Sequence, residues 1–360
     1  MENHSRLWFR IELNATQASD SHPHPQPKLM NPINTLIRHF FVAVAIMVPA
    51  AYAAEESSVI IGKEDWLFTR YEFAIPADAP DTQATIQMLD KANKMFERKG
   101  VTLALVIVPS KSRVNAAQLP DSIKVDAYTD GKYANAVGAL RAAGVNVVSL
   151  DDAFRNSPHK ASDTPLFMRL DTHWSHTGAY LAAQTIKTEI EKSPALRSAW
   201  QAMPEEKYNL TWATNKIPVR TRDLVKLLPK GSPSYPAEQV LQFKVSRTTE
   251  AKVGLLNGAD TTLITAIGSS YSNKNTGYPD ALRFFLQRNL LDISIPVDQG
   301  PWVGMEAYLK DDSFKINKPK MIIWELPERE LRSPPNYKFR DARYVIENND
   351  WLARISALLQ

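Results

Sequence analysis

The sequence contains no cysteine and carries little net charge. With no cysteine among its 360 residues, the chain forms no disulfide and offers no thiolate for metal binding or redox chemistry. The net charge of +4 permits a polyanionic partner without requiring one. The sequence has no basic run with interleaved aromatic residues, so nothing in it indicates nucleic-acid binding. A composition of 44% hydrophobic and 23% charged residues is typical of a globular protein.

The apolar run near the N-terminus is too short to cross a membrane as a helix. It begins at Phe40 and extends for roughly 15 residues, against the roughly 20 that a bilayer requires. It ends in A-Y-A, a small-x-small pattern typical of a cleavage site. We therefore predict a secretory signal peptide over residues 1–53, with cleavage before Ala54 and export to the periplasm. The alternatives are an uncleaved anchor and a translation start at Met30, which would make residues 1–29 an upstream artefact.

Few histidines remain once that segment is set aside. The chain has 7, and only His159, His173 and His176 follow Ala54. A histidine that acts as general base must therefore be one of these three. The lack of cysteine also fits an oxidising periplasm, where unpaired thiols do not persist.

Apolar strands and one-sided helices alternate along the chain. Apolar residues at helical spacing over 86–96 predict a helix that ends at Gly100, and "VTLALVIVPS" follows as a strand buried on both faces. The pattern returns in "KYANAVGALRAAG", "VNVVSL", "LITAIGSSYS", "YPDALRFFLQRNL", "LDISIPVD" and "KPKMIIWELPER". It predicts an α/β fold, a three-layer α/β/α sandwich with a mostly parallel sheet, over residues 54–360. Residues 193–251, rich in proline and charge, are interpreted as an irregular insertion.

Polar residues follow two of the predicted strands, where reactive groups of open α/β sheets gather. In "FMRLDTHWS", Asp171 and His173 are two residues apart, so an extended segment places both side chains on one face. The carboxylate can then reach the near ring nitrogen, which is the orienting half of a Ser-His-Asp arrangement. The alternative is that Asp171 caps a turn and His173 is a hydrogen-bonded, partly buried histidine.

The second strand end is "LITAIGSSYS". Gly268 allows the backbone to turn sharply after the strand and to leave a serine hydroxyl exposed beside backbone N–H groups that can hold an oxyanion. The motif lacks the second glycine of the G-x-S-x-G elbow. The alternative is that these serines only cap a helix.

A metal site is the third interpretation of the histidine segment. Asp171, His173 and His176 offer three ligands, but zinc in proteins usually takes a further strong ligand. Ser175 is predicted to cap the next helix, which places His176 in the first turn, at the surface and disfavoured as a cation. We therefore predict no metal.

Taken together, these segments resemble the SGNH-hydrolase-like domain of the alginate O-acetyltransferase family, of the AlgJ and AlgX type. "RLDTHWSHTGA" is similar to the family's D-x-H-W motif, and "IGSSYS" to its later G-T-S-Y-S motif. "VIIGKEDWLF", "LALVIVPSKSRV", "RDLVKLLP" and "MIIWELPERE" also resemble family segments, in order, over residues 58–331.

The resemblance implies that Ser270 is the nucleophile, His173 the general base and Asp171 its orienting acid. Ser269 stands where the family has threonine. The chain order Asp, His, Ser is permuted relative to other SGNH hydrolases, which place the serine first. Such a permutation is acceptable because these arrangements are recognised by geometry and not by order.

Three further residues are candidates for substrate contact. Arg329, just past a predicted strand end, can hold the carboxylate of a sugar in a bidentate contact, although a structural salt bridge is its alternative role. Tyr271 is either packing beside the nucleophile or a hydrogen-bond donor near the acyl pocket. Trp174 either stacks on a sugar ring or belongs to the core.

The expected function is that of a periplasmic O-acetyltransferase. It would form an acetyl-serine, need no cofactor, and pass the acetyl group to an exopolysaccharide, of which alginate is the first candidate. The resemblance implies a membrane-bound O-acyltransferase that relays the acetyl donor, and other exopolysaccharide secretion proteins as partners, with inner-membrane association left open. No carbohydrate-binding module fits after "ELPERE", which favours the AlgJ-like form. The alternatives are a polysaccharide acetyl-esterase and a non-catalytic polysaccharide-binding or assembly protein.

Overall fold

A five-stranded parallel sheet organises the computed structural model. The structure describes residues 57–219, 221–248, 262–296 and 299–360, so the predicted signal peptide lies outside the described residues. The strands are β1 (Val59–Ile61), β2 (Leu67–Thr69), β3 (Thr102–Val108), β4 (Val147–Ser149), β5 (Tyr208–Trp212), β6 (Ile217–Pro218), β7 (Gln239–Val240), β8 (Phe243–Arg247), β9 (Ile264–Gly268), β10 (Leu291–Ser294) and β11 (Met321–Pro327).

Helices follow or precede each strand of that sheet. They are α1 (Ala79–Arg98), α2 (Lys111–Val114), α3 (Ala127–Ala142), α4 (Asp151–Arg155), α5 (His176–Lys192), α6 (Pro194–Gln201), α7 (Asp223–Lys226), α8 (Tyr278–Leu286), α9 (Gly300–Lys310), α10 (Asp312–Ile316) and α11 (Asn348–Leu358). Within the part of the chain that the structure describes, no helix has both the length and the apolar character that a membrane crossing needs.

The sheet has the order β10-β9-β11-β3-β4, and each neighbouring pair is parallel. Side chains alternate between its two faces. In β3, Ala104, Val106 and Val108 join a core with helices α5 and α8. Leu103, Leu105 and Ile107 join a second core with α1, α3, α9 and α11. Two cores on opposite faces of one sheet make a three-layer α/β/α sandwich, which confirms the fold predicted from the sequence.

The stretch interpreted as an irregular insertion contains regular structure. After α6, strands β5 and β8 pair antiparallel, and β6 pairs with β7 in the same sense. In β5 and β8, buried or half-buried residues alternate with exposed ones, which is the pattern of a strand. Each run has only five residues, so the alternation is easily missed in the sequence. The ribbon of β5 and β8 places Phe243 on the core beside α5.

The N-terminus of α5 is pressed against the segment that precedes Asp171. Ser175 caps the helix as predicted, because its Oγ accepts the N–H groups of Thr177 (3.0 Å) and Gly178 (3.4 Å). A Cβ atom at Gly178 would lie 2.2 Å from the carbonyl oxygen of Leu166. The absence of a side chain at Gly178 therefore allows the helix and the preceding backbone to touch.

Gly178→Ala is expected to destabilise the fold by about 1–3 kcal/mol, because the added methyl group overlaps a backbone oxygen that has little freedom to move. Gly138→Ala is the matched control, since Gly138 is exposed in helix α3 and a Cβ there meets no atom within 4 Å. The control should gain roughly 0.5–1 kcal/mol from helix propensity. Urea unfolding of both variants measures the difference, and equal effects would contradict the close approach.

Candidate active site

Two segments meet at the carboxyl edge of the sheet. Strand β9 ends at Gly268, and a 3₁₀ turn follows over Ser270–Ser272, capped by Ser269, whose Oγ accepts the Tyr271 N–H at 3.2 Å. The segment 171–174 leads into helix α5. Although Ser270 and His173 are 97 positions apart in sequence, their side chains touch.

Asp171, His173 and Ser270 form a continuous line of hydrogen bonds. Asp171 Oδ1 lies 2.6 Å from His173 Nδ1, and His173 Nε2 lies 2.7 Å from Ser270 Oγ. With its Nδ1 proton donated to the carboxylate, the imidazole presents Nε2 as an acceptor for the serine proton. The structure thus brings together the three residues that the sequence proposed.

The Asp171 carboxylate is buried but held in its charged form. It is 1% exposed, and burial alone would raise its pKa. The hydrogen bonds from the His173 ring and backbone and from the Asp223 N–H (3.1 Å) outweigh burial and lower the pKa of Asp171 below 3.8. Asp171 is therefore an anion that orients the imidazole.

Two aromatic residues tie the segments together on either side of this line. The Trp174 indole donates to the Tyr271 carbonyl oxygen at 3.1 Å, and the Tyr271 hydroxyl donates to the Thr172 carbonyl oxygen at 2.5 Å. Trp174 is 1% and Tyr271 2% exposed. Their burial fits the packing alternative, although Trp174 is also among the residues that line the cavity beside Ser270. Substrate contact by Trp174 and Tyr271 stays a prediction.

His176 does not lie on the surface, as the sequence had suggested. It is 9% exposed and packs edge to face on Phe243, with ring centroids 5.0 Å apart. Burial lowers the pKa of His176 to about 4, so the ring is neutral near pH 7. The expectation was wrong because strand β8, distant in sequence, covers the first turn of the helix.

Asp223 is a site residue that the sequence analysis did not single out. It accepts the Thr172 N–H at 2.8 Å and the Thr172 hydroxyl, and its Oδ2 lies 3.8 Å from His173 Nδ1. Asp223 belongs to "RDLVKLLP", one of the segments that resemble the family, and this resemblance is the sequence signal that could have identified it.

Among the described residues, Asp171, His173 and Asp223 have ligand atoms close enough to share a metal ion, and His176 is not part of that group. Both Asp171 oxygens and both Asp223 oxygens already accept hydrogen bonds. His173 Nε2 faces Ser270. This donor set fits a proton relay better than a metal site.

A buried glutamate holds the turn that carries Ser270. Glu325, in β11, accepts the Ser269 N–H (2.9 Å), the Ser269 hydroxyl (3.1 Å) and the Ser272 hydroxyl (2.9 Å). A Cβ at Gly268 would lie 2.3 Å from Glu325 Oε2, so this glycine is required for the close approach. Of the three serines, only Ser270 is left to face His173.

A buried lysine holds the other segment. Lys111 Nζ donates to the carbonyl oxygens of Leu67 (2.6 Å), Arg169 (2.8 Å) and Asp171 (3.0 Å). Its side chain is fully buried, and burial lowers the pKa of Lys111 to about 8. The ammonium group thereby fixes the backbone on which Asp171 is carried.

Ser270 opens into a cleft of about 290 Å³. His173, His176, Lys226 and Asn273 are among the residues that line it. Arg329 is not among them; it is half-buried, with its guanidinium carbon 5.7 Å from the centre of the Tyr271 ring. Its assignment as a carboxylate ligand therefore stays a prediction.

Glu325→Gln is expected to flatten the pH dependence of stability. Burial raises the pKa of Glu325 from 4.5 to about 7. Between these values the folded state binds more protons than the unfolded chain, so the free energy of unfolding falls as pH rises, by on the order of 3 kcal/mol. Glutamine cannot ionise, so the variant should lack this decline.

Urea unfolding of both proteins across that pH range measures the effect. Asp312→Asn is the control, because Asp312 is exposed in a surface pair with Lys315. An equally steep decline in the Glu325 variant would show that Glu325 ionises normally.

The chain is similar to known proteins over most of its length. The family model described as SGNH hydrolase-like domain, acetyltransferase AlgX, matches residues 59–328. The chain is 28% identical over 319 residues to the probable alginate O-acetylase AlgJ of Pseudomonas aeruginosa, covering 83% of this chain and 75% of that protein.

Two solved structures share the fold. The O-acetyltransferase domain of Pseudomonas putida AlgJ superimposes with a TM-score of 0.67 at 23% identity, covering 84% of this chain and 99% of that one. Pseudomonas aeruginosa AlgX gives a TM-score of 0.57 at 20% identity, over 79% and 68% of the two chains. With the family match over residues 59–328, the chain belongs to the SGNH hydrolase-like acetyltransferase family of the AlgJ and AlgX type.

Proposed function

We propose that this protein is a periplasmic O-acetyltransferase that carries an acetyl group on Ser270 and passes it to a hydroxyl of an exopolysaccharide. The observation that carries the proposal is the line of hydrogen bonds from Asp171 through His173 to Ser270, at 2.6 and 2.7 Å. Membership of an acetyltransferase family supports the reaction. Alginate is the first candidate polymer because the relatives that match most of the chain are named alginate O-acetylases.

The first half-reaction loads the serine. Ser270 Oγ attacks the acetyl carbonyl of the donor while His173 Nε2 takes the hydroxyl proton, and Asp171 stabilises the imidazolium that forms. Collapse of the tetrahedral intermediate breaks the bond to the donor's leaving group, which receives the proton from His173. The products are acetyl-Ser270 and the protonated leaving group.

The second half-reaction transfers the acetyl group from Ser270 to the sugar. His173 Nε2 takes the proton of a sugar hydroxyl, whose oxygen attacks the acetyl-serine carbonyl; the ester bond to Ser270 then breaks and the serine oxygen regains the proton. If water took the place of the sugar, the same steps would make the protein an acetyl-esterase. The difference between the two functions therefore lies in how well the cleft positions the acceptor.

Two N–H donors beside the nucleophile are available for the oxyanion. The backbone N–H of Ser270 and the side-chain amide of Asn273 donate no hydrogen bond within the described residues, and both residues line the cleft. Donors of this kind stabilise the charge that develops on the carbonyl oxygen in the transition state. We assign them this role.

The cleft also carries a cation suited to a uronate. Lys226 is exposed at its edge and has no ion pair within the described residues. Arg222 also lines the cleft, but one of its guanidinium N–H groups donates to the Tyr235 carbonyl oxygen. We propose that Lys226 attracts the sugar carboxylate, with Arg329 as the second candidate from outside the cleft.

The remaining parts of the proposal concern location and partners. The predicted signal peptide supports export to the periplasm, where acetyl-CoA is not available, so the acetyl group must be relayed across the membrane. We propose a membrane-bound O-acyltransferase as the source and exopolysaccharide secretion proteins as further partners. A purely polysaccharide-binding role is disfavoured, because an assembly protein has no need of the aligned Asp171, His173 and Ser270.

Ser270→Ala is expected to lower acetyl transfer by about 10⁴-fold or more, since it removes the attacking oxygen. Ser272→Ala is the matched control: it sits in the same turn but donates to Glu325, so it should retain most activity. Transfer to sugar is measured by mass spectrometry. A dead Ser272 variant beside an active Ser270 variant would overturn the assignment of the nucleophile.

When polymer is present, transfer of the acetyl group to sugar should be faster than its hydrolysis by water. A bound hydroxyl in near-attack geometry can reach effective molarities of roughly 10⁵ M or above, which outcompetes water. The test supplies an activated acetyl ester with and without oligomannuronate and follows both acetate release and acetylated sugar. Acetate release that is unaffected by the oligosaccharide, with no acetylated sugar from several polymers, would favour the esterase.

A further inference from the structure

A second concavity lies beside the cleft that holds Ser270. Its volume is about 430 Å³. We call it the Trp212 groove and define it by six of the residues that line it, namely His159, Thr164, Tyr180, Gln184, Trp212 and Leu241. None of these residues has a role in the acetyl transfer described above.

The groove and the cleft are neighbours. His176 lines the cleft and Thr177 the groove, and in the same way Gln242 lines the cleft and Leu241 the groove. Consecutive Cα atoms are about 3.8 Å apart. At two separate places in the fold, consecutive residues therefore line the two concavities, which places them side by side.

Two aromatic side chains form a fixed surface in the groove. Trp212 and Tyr180 are half-buried, and each packs edge to face on a phenylalanine: Trp212 on Phe243 at 5.0 Å and Tyr180 on Phe285 at 4.8 Å. Within the described residues, neither the Trp212 indole N–H nor the Tyr180 hydroxyl has a hydrogen-bond partner. A rigid ring with a free polar tip is suited to a ligand with both apolar and hydroxyl-bearing faces.

The polar side chains around these rings include those of a histidine, a threonine and a glutamine. The His159 ring and the Thr164 hydroxyl lie 3.4 Å apart, and the Gln184 amide is exposed nearby. No lysine, arginine, aspartate or glutamate lines the groove in the part of the chain that the structure describes. The cleft, in contrast, has Lys226 at its edge. The groove therefore suits the C–H faces and hydroxyls of sugar rings, and the carboxylates of uronate rings would point away from it.

We propose that the Trp212 groove binds the sugar rings of the acceptor polysaccharide that adjoin the reacting residue. This inference rests on the proposed function, because it takes the polymer as the occupant of the cleft. A chain with one hydroxyl at Ser270 passes from the cleft into the groove, where Trp212 stacks on a ring. The groove thereby selects polymers over single sugars and holds the acceptor while the acetyl group is transferred.

The test measures binding apart from catalysis. The full chain with Ser270→Ala is titrated calorimetrically with oligomannuronates of increasing length. We expect affinity to rise with length until both concavities are filled. Adding Trp212→Ala should weaken binding of the long oligomers about ten-fold and leave the shortest unchanged.

Trp200→Ala is the matched control, since Trp200 is also a half-buried tryptophan on the same core but lies outside the groove. Gln184→Ala, at an exposed position of α5, is a second variant in case Trp212→Ala fails to fold. It should weaken the binding of long oligomers about two- to three-fold, which corresponds to the loss of roughly one hydrogen bond. Trp212→Phe should retain part of the affinity. Affinity that is independent of length, or equal losses in the Trp212 and Trp200 variants, would overturn the proposal.

The salt dependence of binding distinguishes stacking on Trp212 from the ionic contact with Lys226. The loss caused by Trp212→Ala should be the same at low and high ionic strength, because stacking is not screened, whereas the loss caused by Lys226→Met should shrink at high salt. A protein that binds long oligomers through Trp212 but never forms acetylated sugar would contradict the proposed function alone. If acetylated sugar forms but neither Trp212→Ala nor Gln184→Ala changes the binding of oligomers, only the proposed role of the Trp212 groove would be contradicted.

Discussion

The site depends on a mutual attachment of two backbone segments. Trp174 donates to the carbonyl of Tyr271, and Tyr271 donates to the carbonyl of Thr172, so each segment holds the other through a buried aromatic side chain. His173 stands between Thr172 and Trp174 in the chain and Ser270 is next to Tyr271, so these bonds fix the backbone on both sides of the contact between His173 and Ser270. A hydrogen bond between a serine and its base is useful only if its geometry persists, and here two buried aromatic side chains fix the segments that carry the pair.

Two buried acids at this edge of the sheet have pKa values that are shifted in opposite directions. Asp171 receives hydrogen bonds that favour its anion, and its pKa falls. Glu325 receives three hydrogen bonds as well, yet full burial prevails and raises its pKa to about 7. The first acid can stabilise a neighbouring imidazolium, whereas the second mainly shapes a turn. The two carboxyl groups therefore differ in role because their surroundings differ, and not because one is an aspartate and the other a glutamate.

Much of the fold and part of the site could be predicted because the signals are local. Buried strands read as continuous apolar runs, and Asp171 and His173 share a face through their spacing. Ser270 could be placed at a strand end, but its preference over Ser269 came only from family resemblance, since Glu325 lies more than fifty residues away. The burial of His176 was missed for the same reason, because Phe243 comes from a ribbon that the sequence only weakly indicates.

The parallel arrangement of the sheet also determines when His173 and Ser270 can meet during folding. Strand β9 is paired with β11 and β10, and β11 in turn with β3, more than two hundred residues earlier. Such distant pairings form slowly, since loop closure must precede the contacts that compensate it. Before they form, Ser270 is an ordinary alcohol with no base beside it. With Ser270 as the proposed nucleophile, the nascent chain carries it in a latent form until these strands have paired.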